Sequence, residues 1–224
     1  LINPFLFMKK ISVRLFCILS GVSGIIGVLM LIISFNINAG PPAGATPEQL
    51  VTFANQNYAS ILWGAWLQTV GPYLIVVFAF SLVSLSRATQ HLAGWMVFFG
   101  AGILMTVSLI EITFYIAVLF KDPPLTSLIG LNVIYAVQHL YFIIGAPALF
   151  IPLGLVLLDS GILPKSFGFL AIFLGLLFGA LGIVFLLQLV LPVWVTASAG
   201  LQALWWLAAA IALIARTGKI SQVS

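Results

Sequence analysis

Residues 92–124 read LAGWMVFFGAGILMTVSLIEITFYIAVLFKDPP. From Leu92 to Phe120 the only charged side chain is Glu111, and the run stops at Lys121-Asp122-Pro123-Pro124. One α-helical crossing of a bilayer takes roughly 20 apolar residues. Two charges followed by two prolines cannot continue it. The stretch therefore predicts a membrane span, carrying one carboxyl that lipid alone would not tolerate.

Five further stretches have the same character. The first span is expected from Val13 to Ile37, with small residues Ser20, Gly21, Ser23, Gly24 and Gly27 that let helices approach closely in lipid. A polar loop, 38–58, follows. Gly40-Pro41-Pro42 breaks the helix there, and Thr46-Pro47-Glu48-Gln49 reads as a cap opening a short amphipathic surface helix through Leu50, Val51, Phe53 and Ala54. The second span runs from Ala59 to Leu85 with Pro72 inside it. Leu92–Phe120 is the third. The fourth covers Ser127–Leu158, with Pro147 and Pro152 to tilt or kink it. The fifth covers Phe167–Leu189, with Gly175 and Gly179 in GxxxG spacing, and the sixth covers Val193–Ala215. The expected architecture is an all-α polytopic bundle of about six spans.

Composition agrees. Apolar residues are 63% of the 224 and charged residues 5%, against about half and a quarter in a soluble domain. Six spans and short loops use up the chain, so one transmembrane domain, 13–215, is expected between an N-terminal tail, 1–12, and a C-terminal tail, 216–224. Leu1 to Phe7 precede Met8-Lys9-Lys10, the pattern of a natural start at Met8. The apolar stretch from Ile11 to Phe35 exceeds the roughly 7–15 residues of a signal-peptide core, so an uncleaved first span is expected. The net charge of +4 is scattered over span ends, which argues against a nucleic-acid partner. Cys17, the single cysteine, lies inside the first span and reads as a buried thiol.

Loop charges give a direction. Cytoplasmic loops carry the excess of lysine and arginine. With the N-terminus inside, Lys9, Lys10, Arg14, Arg87, Lys165, Arg216 and Lys219 are cytoplasmic, and Lys121 alone is outside. An even span count then returns the C-terminus to the cytoplasm. Trp63, Trp194 and Trp95 stand at the expected interfaces. Each outward-to-inward span also carries a glutamine in its outer half, Gln68, Gln138 and Gln202, which suggests three hairpins of similar build.

Two ionisable side chains lie deep in the spans, Glu111 and His139. At 1.5 Å per residue their depths differ by roughly one helical turn. Ser108, Glu111 and Tyr115 share one helix face; Asn132, Tyr135 and His139 share another. Facing each other, the two stripes would pair Glu111 with His139, and Gln68 and Gln202 lie at similar depth. The expected site is a polar layer in the outer half of the membrane. A glutamate and a histidine in contact are the minimum equipment for a proton relay, and the same contact can simply pin two helices together. Trp205-Trp206, beside this depth, reads as lipid contact or core. His91 and Asp159 read as surface groups.

Other chemistries find no support. There is no CxxC, HExxH, GxxxxGK[ST] or GxGxxG, no second deep histidine and no mid-span lysine. No metal and no cofactor is expected, and catalysis is not favoured.

Thr46-Pro47-Glu48-Gln49-Leu50, Gly64-Ala65-Trp66-Leu67-Gln68, Leu92-Ala93-Gly94-Trp95 and Leu163-Pro164-Lys165 with Gly168 mark a resemblance. The chain resembles small six-span bacterial membrane proteins classed as domains of unknown function, from about Val13 to Ala215. The resemblance implies a multi-pass protein of the bacterial cytoplasmic membrane and brings no activity. The leading expectation is small-molecule or proton-linked transport or binding through the polar layer. Alternatives are a non-catalytic scaffold or accessory subunit, with a homo-oligomer or another membrane protein as partner, and an intramembrane enzyme acting on lipid with Glu111 as acid or base.

Overall fold

The computed structural model describes residues 12–38, 46–119, 124–187 and 192–223. The expectations placed on Met8, on Gly40-Pro41-Pro42 and on Lys121-Asp122 lie outside the described residues. Every regular element among the described residues is helical. They are α1 (Val13–Ile37), α2 (Pro47–Gln56), α3 (Tyr58–Leu85), α4 (Leu92–Leu119), α5 (Pro124–Leu140), α6 (Ala146–Ser160), α7 (Lys165–Leu186), α8 (Pro192–Ala215) and α9 (Thr217–Val223). A 3₁₀ turn, Ala88–Gln90, lies between α3 and α4, and a π-helical turn, Tyr141–Gly145, joins α5 to α6. Six stretches are long and apolar enough to cross a membrane: α1, α3, α4, the α5–π–α6 unit, α7 and α8. The chain is a multi-pass integral membrane protein with an all-α helical bundle.

The crossings pack in chain order around a ring. α1 lies on α3, α3 on α4, α4 on both α5 and α6, α6 on α7 and α7 on α8, and α8 returns to α1. Aromatic side chains fill the interior. Phe78 and Trp206 meet edge to face with centroids 5.9 Å apart, Phe150 tilts against Trp206 at 5.2 Å, and Phe150 stacks on Phe178. Trp206 is 1% exposed, so the Trp205-Trp206 pair belongs to the core. Cys17 is likewise fully buried.

Two sides of the ring close through facing glycines. Gly27 of α1 faces Gly71 of α3 so closely that a Cβ on either would stand 2.7–2.9 Å from the other's carbonyl oxygen. Gly154 and Gly168 make the equivalent seam between α6 and α7. The expected Gly175–Gly179 pair is divided: Gly175 packs on Ile151, whereas Gly179 leaves room beside Pro147. The tight contacts of α7 are thus spaced seven residues apart, at Gly168, Gly175 and Gly182.

The fourth crossing departs from a simple proline kink. Pro147 has no N–H, and its ring crowds the carbonyl four residues back. The chain accommodates this just upstream, where the Ala146 N–H bonds to Tyr141 instead of to the residue one closer. Such a π turn inserts an extra residue into the helix and rotates everything before it relative to α6.

The surface helix forms as its cap predicts. The Thr46 hydroxyl accepts from the Gln49 N–H at 3.3 Å, and the Gln49 side chain accepts from the Thr46 N–H at 2.8 Å, a reciprocal capping box. Its own backbone N–H and the Thr46 hydroxyl hold the Glu48 carboxyl below its usual range. Leu50 and Ala54 are buried, and α2 packs on the outer ends of α5 and α4. The C-terminal tail is also helical from Thr217 to Val223 and lies against α1. Arg14, Arg87, Lys165, Arg216 and Lys219 all stand at one end of the bundle, with Glu48 at the other.

The seams predict a contrast between glycines. Gly27→Val pushes a side chain into the Gly71 carbonyl and should cost about 1–3 kcal/mol, the range for overpacking. Gly102, with nothing within 4 Å of an added Cβ, should accept alanine with no loss and a gain of up to about 1 kcal/mol from helix propensity. Thermal unfolding of both variants in one detergent measures the difference.

Candidate functional site

The site begins with a proline. In α3 the N–H of residue 72 would normally bond to the carbonyl of Gln68, and Pro72 has none. Inside a bilayer an unmet carbonyl must find a donor within the protein. The Ser108 hydroxyl of α4 supplies it, donating to the Gln68 carbonyl at 2.9 Å. One turn further along the same face of α4, Glu111 accepts from the Gln68 side-chain amide at 2.7 Å. Ser108 and Glu111 thus grip one residue by its backbone and its side chain. All three are buried, Gln68 at 6%, Ser108 at 5% and Glu111 at 8% exposure.

A second glutamine completes the carboxyl. Gln138 of α5 hydrogen-bonds Glu111, so Glu111 joins three crossings. Glu111 lies about 12 Å from the C-terminal end of α4 and Gln68 about 15 Å from the N-terminal end of α3 at helical rise, which places the group in the half of the bundle that carries α2. A charged carboxylate near the bilayer centre costs about 2.5–3.5 kcal/mol to insert. Amide hydrogen bonds, each worth about 1.5–3 kcal/mol when the acceptor is charged, offset that cost.

The partners described for Glu111 are these amides. The His139 ring meets Phe185 of α7 edge to face, with centroids 5.1 Å apart. Gln138 precedes His139 by one residue, so α5 is turned about 100° from the orientation its Asn132–Tyr135–His139 stripe suggests. Asn132 and Gln138 are exposed, and His139 and Tyr115 are half-buried. The Tyr135 side chain lies outside the described residues.

A further polar contact joins the layer at the π turn. The Tyr141 hydroxyl donates to the side-chain oxygen of Gln202 on α8 at 2.7 Å, and Glu111 lies within electrostatic reach of that hydroxyl. Gln138 and Tyr141 are three residues apart and share a helix face. The layer therefore runs from Gln68 through Glu111 and Gln138 to Tyr141 and Gln202, across α3, α4, the fourth crossing and α8. Phe142 and Phe178 wall Tyr141 on the inner side.

Of the residues singled out from the sequence, Gln68, Ser108 and Glu111 contact one another and Gln202 meets Tyr141. Gln138 and Tyr141 are the members that helix-face reasoning passed over. Gln138 was visible only as one of three recurring glutamines, and Tyr141 had no signal beyond its spacing from Gln138. The recurring glutamines also differ in partner: two meet at Glu111, the third at Tyr141. Among the described residues no group of three or more histidine, cysteine, aspartate or glutamate side chains is placed to hold a metal.

Comparison with protein-family models, curated proteins and solved structures finds no match for the chain. The functional reading therefore rests on the site.

The proline account predicts an energetic coupling. Ser108→Ala should cost about 1 kcal/mol, near the upper part of the range for hydrogen bonds between membrane helices. In a Pro72→Ala background the restored N–H supplies the Gln68 carbonyl, and the same serine substitution should cost almost nothing. A double-mutant cycle of unfolding free energies measures the coupling, and additive costs would refute it.

Proposed function

We propose that the protein is a proton- or small-cation-linked transport or binding protein whose working group is the Glu111 carboxyl. The observation that supports this best is the chemistry of the partners. Gln68 and Gln138, the partners described for the carboxyl, are neutral amides. These amides stabilise the carboxyl without neutralising it, which leaves a proton or a cation to do so. Amides suit that use, because each glutamine offers both a donor and an acceptor and can serve the carboxyl in either protonation state.

The layer also has a way in. Gln138 is exposed and His139 half-buried, so the α5 side is its open side. Gln68, Ser108 and Glu111 form the closed side against α3. Tyr141 and Gln202 extend the layer towards α8. In this reading 13–215 is one transmembrane domain, with both ends on the cytoplasmic face of a bacterial cytoplasmic membrane. The lysine and arginine distribution supports that direction.

A second reading is favoured by the directness of the contacts. Gln68 meets Glu111 at 2.7 Å with both groups buried, as a clamp in a non-catalytic scaffold would. One substitution separates the two. Glu111→Gln keeps the shape and hydrogen-bonding capacity of the side chain and removes its titratable proton. In proteoliposomes carrying a pH-sensitive dye, with an imposed potassium diffusion potential, wild-type protein should admit protons. Glu111→Gln should reduce that flux by about tenfold or more, the scale on which losing a proton-transfer group acts, at an unchanged thermal midpoint. Equal flux in both proteins, or none in either, leaves the clamp as the role of the layer.

A further inference from the structure

At the opposite end of the bundle a second polar group stands apart from the Glu111 layer. Arg216 ends α8 where the chain turns into α9. Its guanidinium Nη2 donates to the Gly161 carbonyl at 3.3 Å, a long bond to a neutral acceptor. Its Nε is buried and has no hydrogen-bond partner. The hydroxyl of Ser160, the residue next to Gly161, is also buried and unpartnered. Orphaned buried polar atoms are uncommon in folded proteins and call for an account. Here two lie on adjoining elements and both can donate to an anion.

The charge around them has one sign. Lys165, four residues beyond Gly161, opens α7, and Lys219 lies three residues beyond Arg216. Four residues of extended chain reach at most about 14 Å, so Lys165 is close to the Arg216 contact. Lys165 and Lys219 are both exposed. The nearest carboxyl in sequence, Asp159, is exposed, and no ion pair joins it to Arg216 among the described residues. Arg216 is half-buried.

We propose that the α6–α7 turn and the α8–α9 junction form a binding site for the phosphate of an anionic phospholipid, with Arg216 as its central ligand. The planar guanidinium matches phosphate oxygens two at a time. The Ser160 hydroxyl supplies a further donor after a side-chain rotation, and Lys165 and Lys219 flank the headgroup. A lipid is the source favoured over free phosphate because the site sits where a crossing leaves the apolar layer. Acyl chains there lie along exposed apolar side chains such as Leu155, Phe169 and Phe173. It is also the basic end of the bundle, and anionic headgroups gather at clusters of lysine and arginine beside spans.

The test uses full-length protein purified in mild detergent and stripped of lipid. Its thermal midpoint is measured with phosphatidylglycerol, with phosphatidylcholine and with inorganic phosphate. Phosphatidylglycerol should raise the midpoint, and the other two should leave it unchanged. Arg216→Gln should remove the rise, and Ser160→Ala should weaken phosphatidylglycerol binding about fivefold to tenfold while leaving the lipid-free midpoint intact. Lipid adducts counted by native mass spectrometry give the same comparison without relying on melting, including for a destabilised Arg216 variant. A phosphatidylcholine response equal to that of phosphatidylglycerol, or retention of bound phosphatidylglycerol by Arg216→Gln, overturns the site. A rise with inorganic phosphate alone overturns the lipid as its occupant.

Discussion

A bilayer leaves no carbonyl to water, and this chain puts prolines inside its crossings. Each such proline releases a carbonyl four residues back, and each released carbonyl has to be answered by a neighbouring helix. Pro72 releases Gln68, and Ser108 of α4 answers it. Pro152 releases Ala148, and Gly100 of α4 lies so close that an added Cβ would collide with that carbonyl. An approach of this kind brings Cα hydrogens against carbonyl oxygens, a weak contact common between helices. Pro147 is met differently, by the π turn before it. α4 is thus the shared neighbour that lets α3 and α6 keep their prolines, and Ser108 and Gly100 are the residues through which it does so. Glu111 stands on the same helix, one turn beyond Ser108, and the polar layer is built outward from that contact.

The two halves of the bundle are made differently. Towards the basic end, Leu82, Leu153, Leu157 and Leu213 are fully buried, and the Gly154–Gly168 seam holds α6 on α7. Towards the other end, polar side chains take over from apolar packing as the link between crossings. Ser34 of α1 donates to the Gly64 carbonyl of α3 at 2.8 Å, Gln68 and Gln138 meet at Glu111, and Tyr141 reaches Gln202. Hydrogen bonds between membrane helices contribute modestly, about 0.6 kcal/mol on average. The half around Glu111 is therefore held in good part by directional contacts, and the basic half chiefly by close packing, with Trp205 and Arg216 donating to the Phe167 and Gly161 carbonyls.

Much of this was legible in the sequence. Length and hydropathy define the crossings, the Thr46–Gln49 cap defines α2, and the spacing of Ser108 and Glu111 puts them on one buried face. Rotation of α5 was not legible. In a soluble helix the polar side marks solvent and fixes which face turns inward. In lipid both sides are apolar, and a one-residue choice between Gln138 and His139 leaves the pattern almost unchanged. The π turn compounds this, because the residue it inserts alters the phase between the two halves of the fourth crossing and brings Tyr141 into the layer. The helical tail, Thr217–Val223, has too few apolar residues to announce itself apart from its packing on α1.

α2 ties the outer half together in a way that bears on the site. It is closed at its start by a reciprocal capping box and separated from α3 by Asn57 alone. It buries Leu50 and Ala54 against α5 and α4. The surface helix is therefore capped at its start, joined to α3 through the chain, and seated on the two helices that deliver Glu111 and Gln138. A shift of α5 against α4 changes two things together, the Glu111–Gln138 hydrogen bond within the membrane and the footing of α2 at its edge. The carboxyl, its glutamine partners and the surface helix form one mechanical unit, and Ser108 fixes that unit to α3 by taking the carbonyl that Pro72 set free.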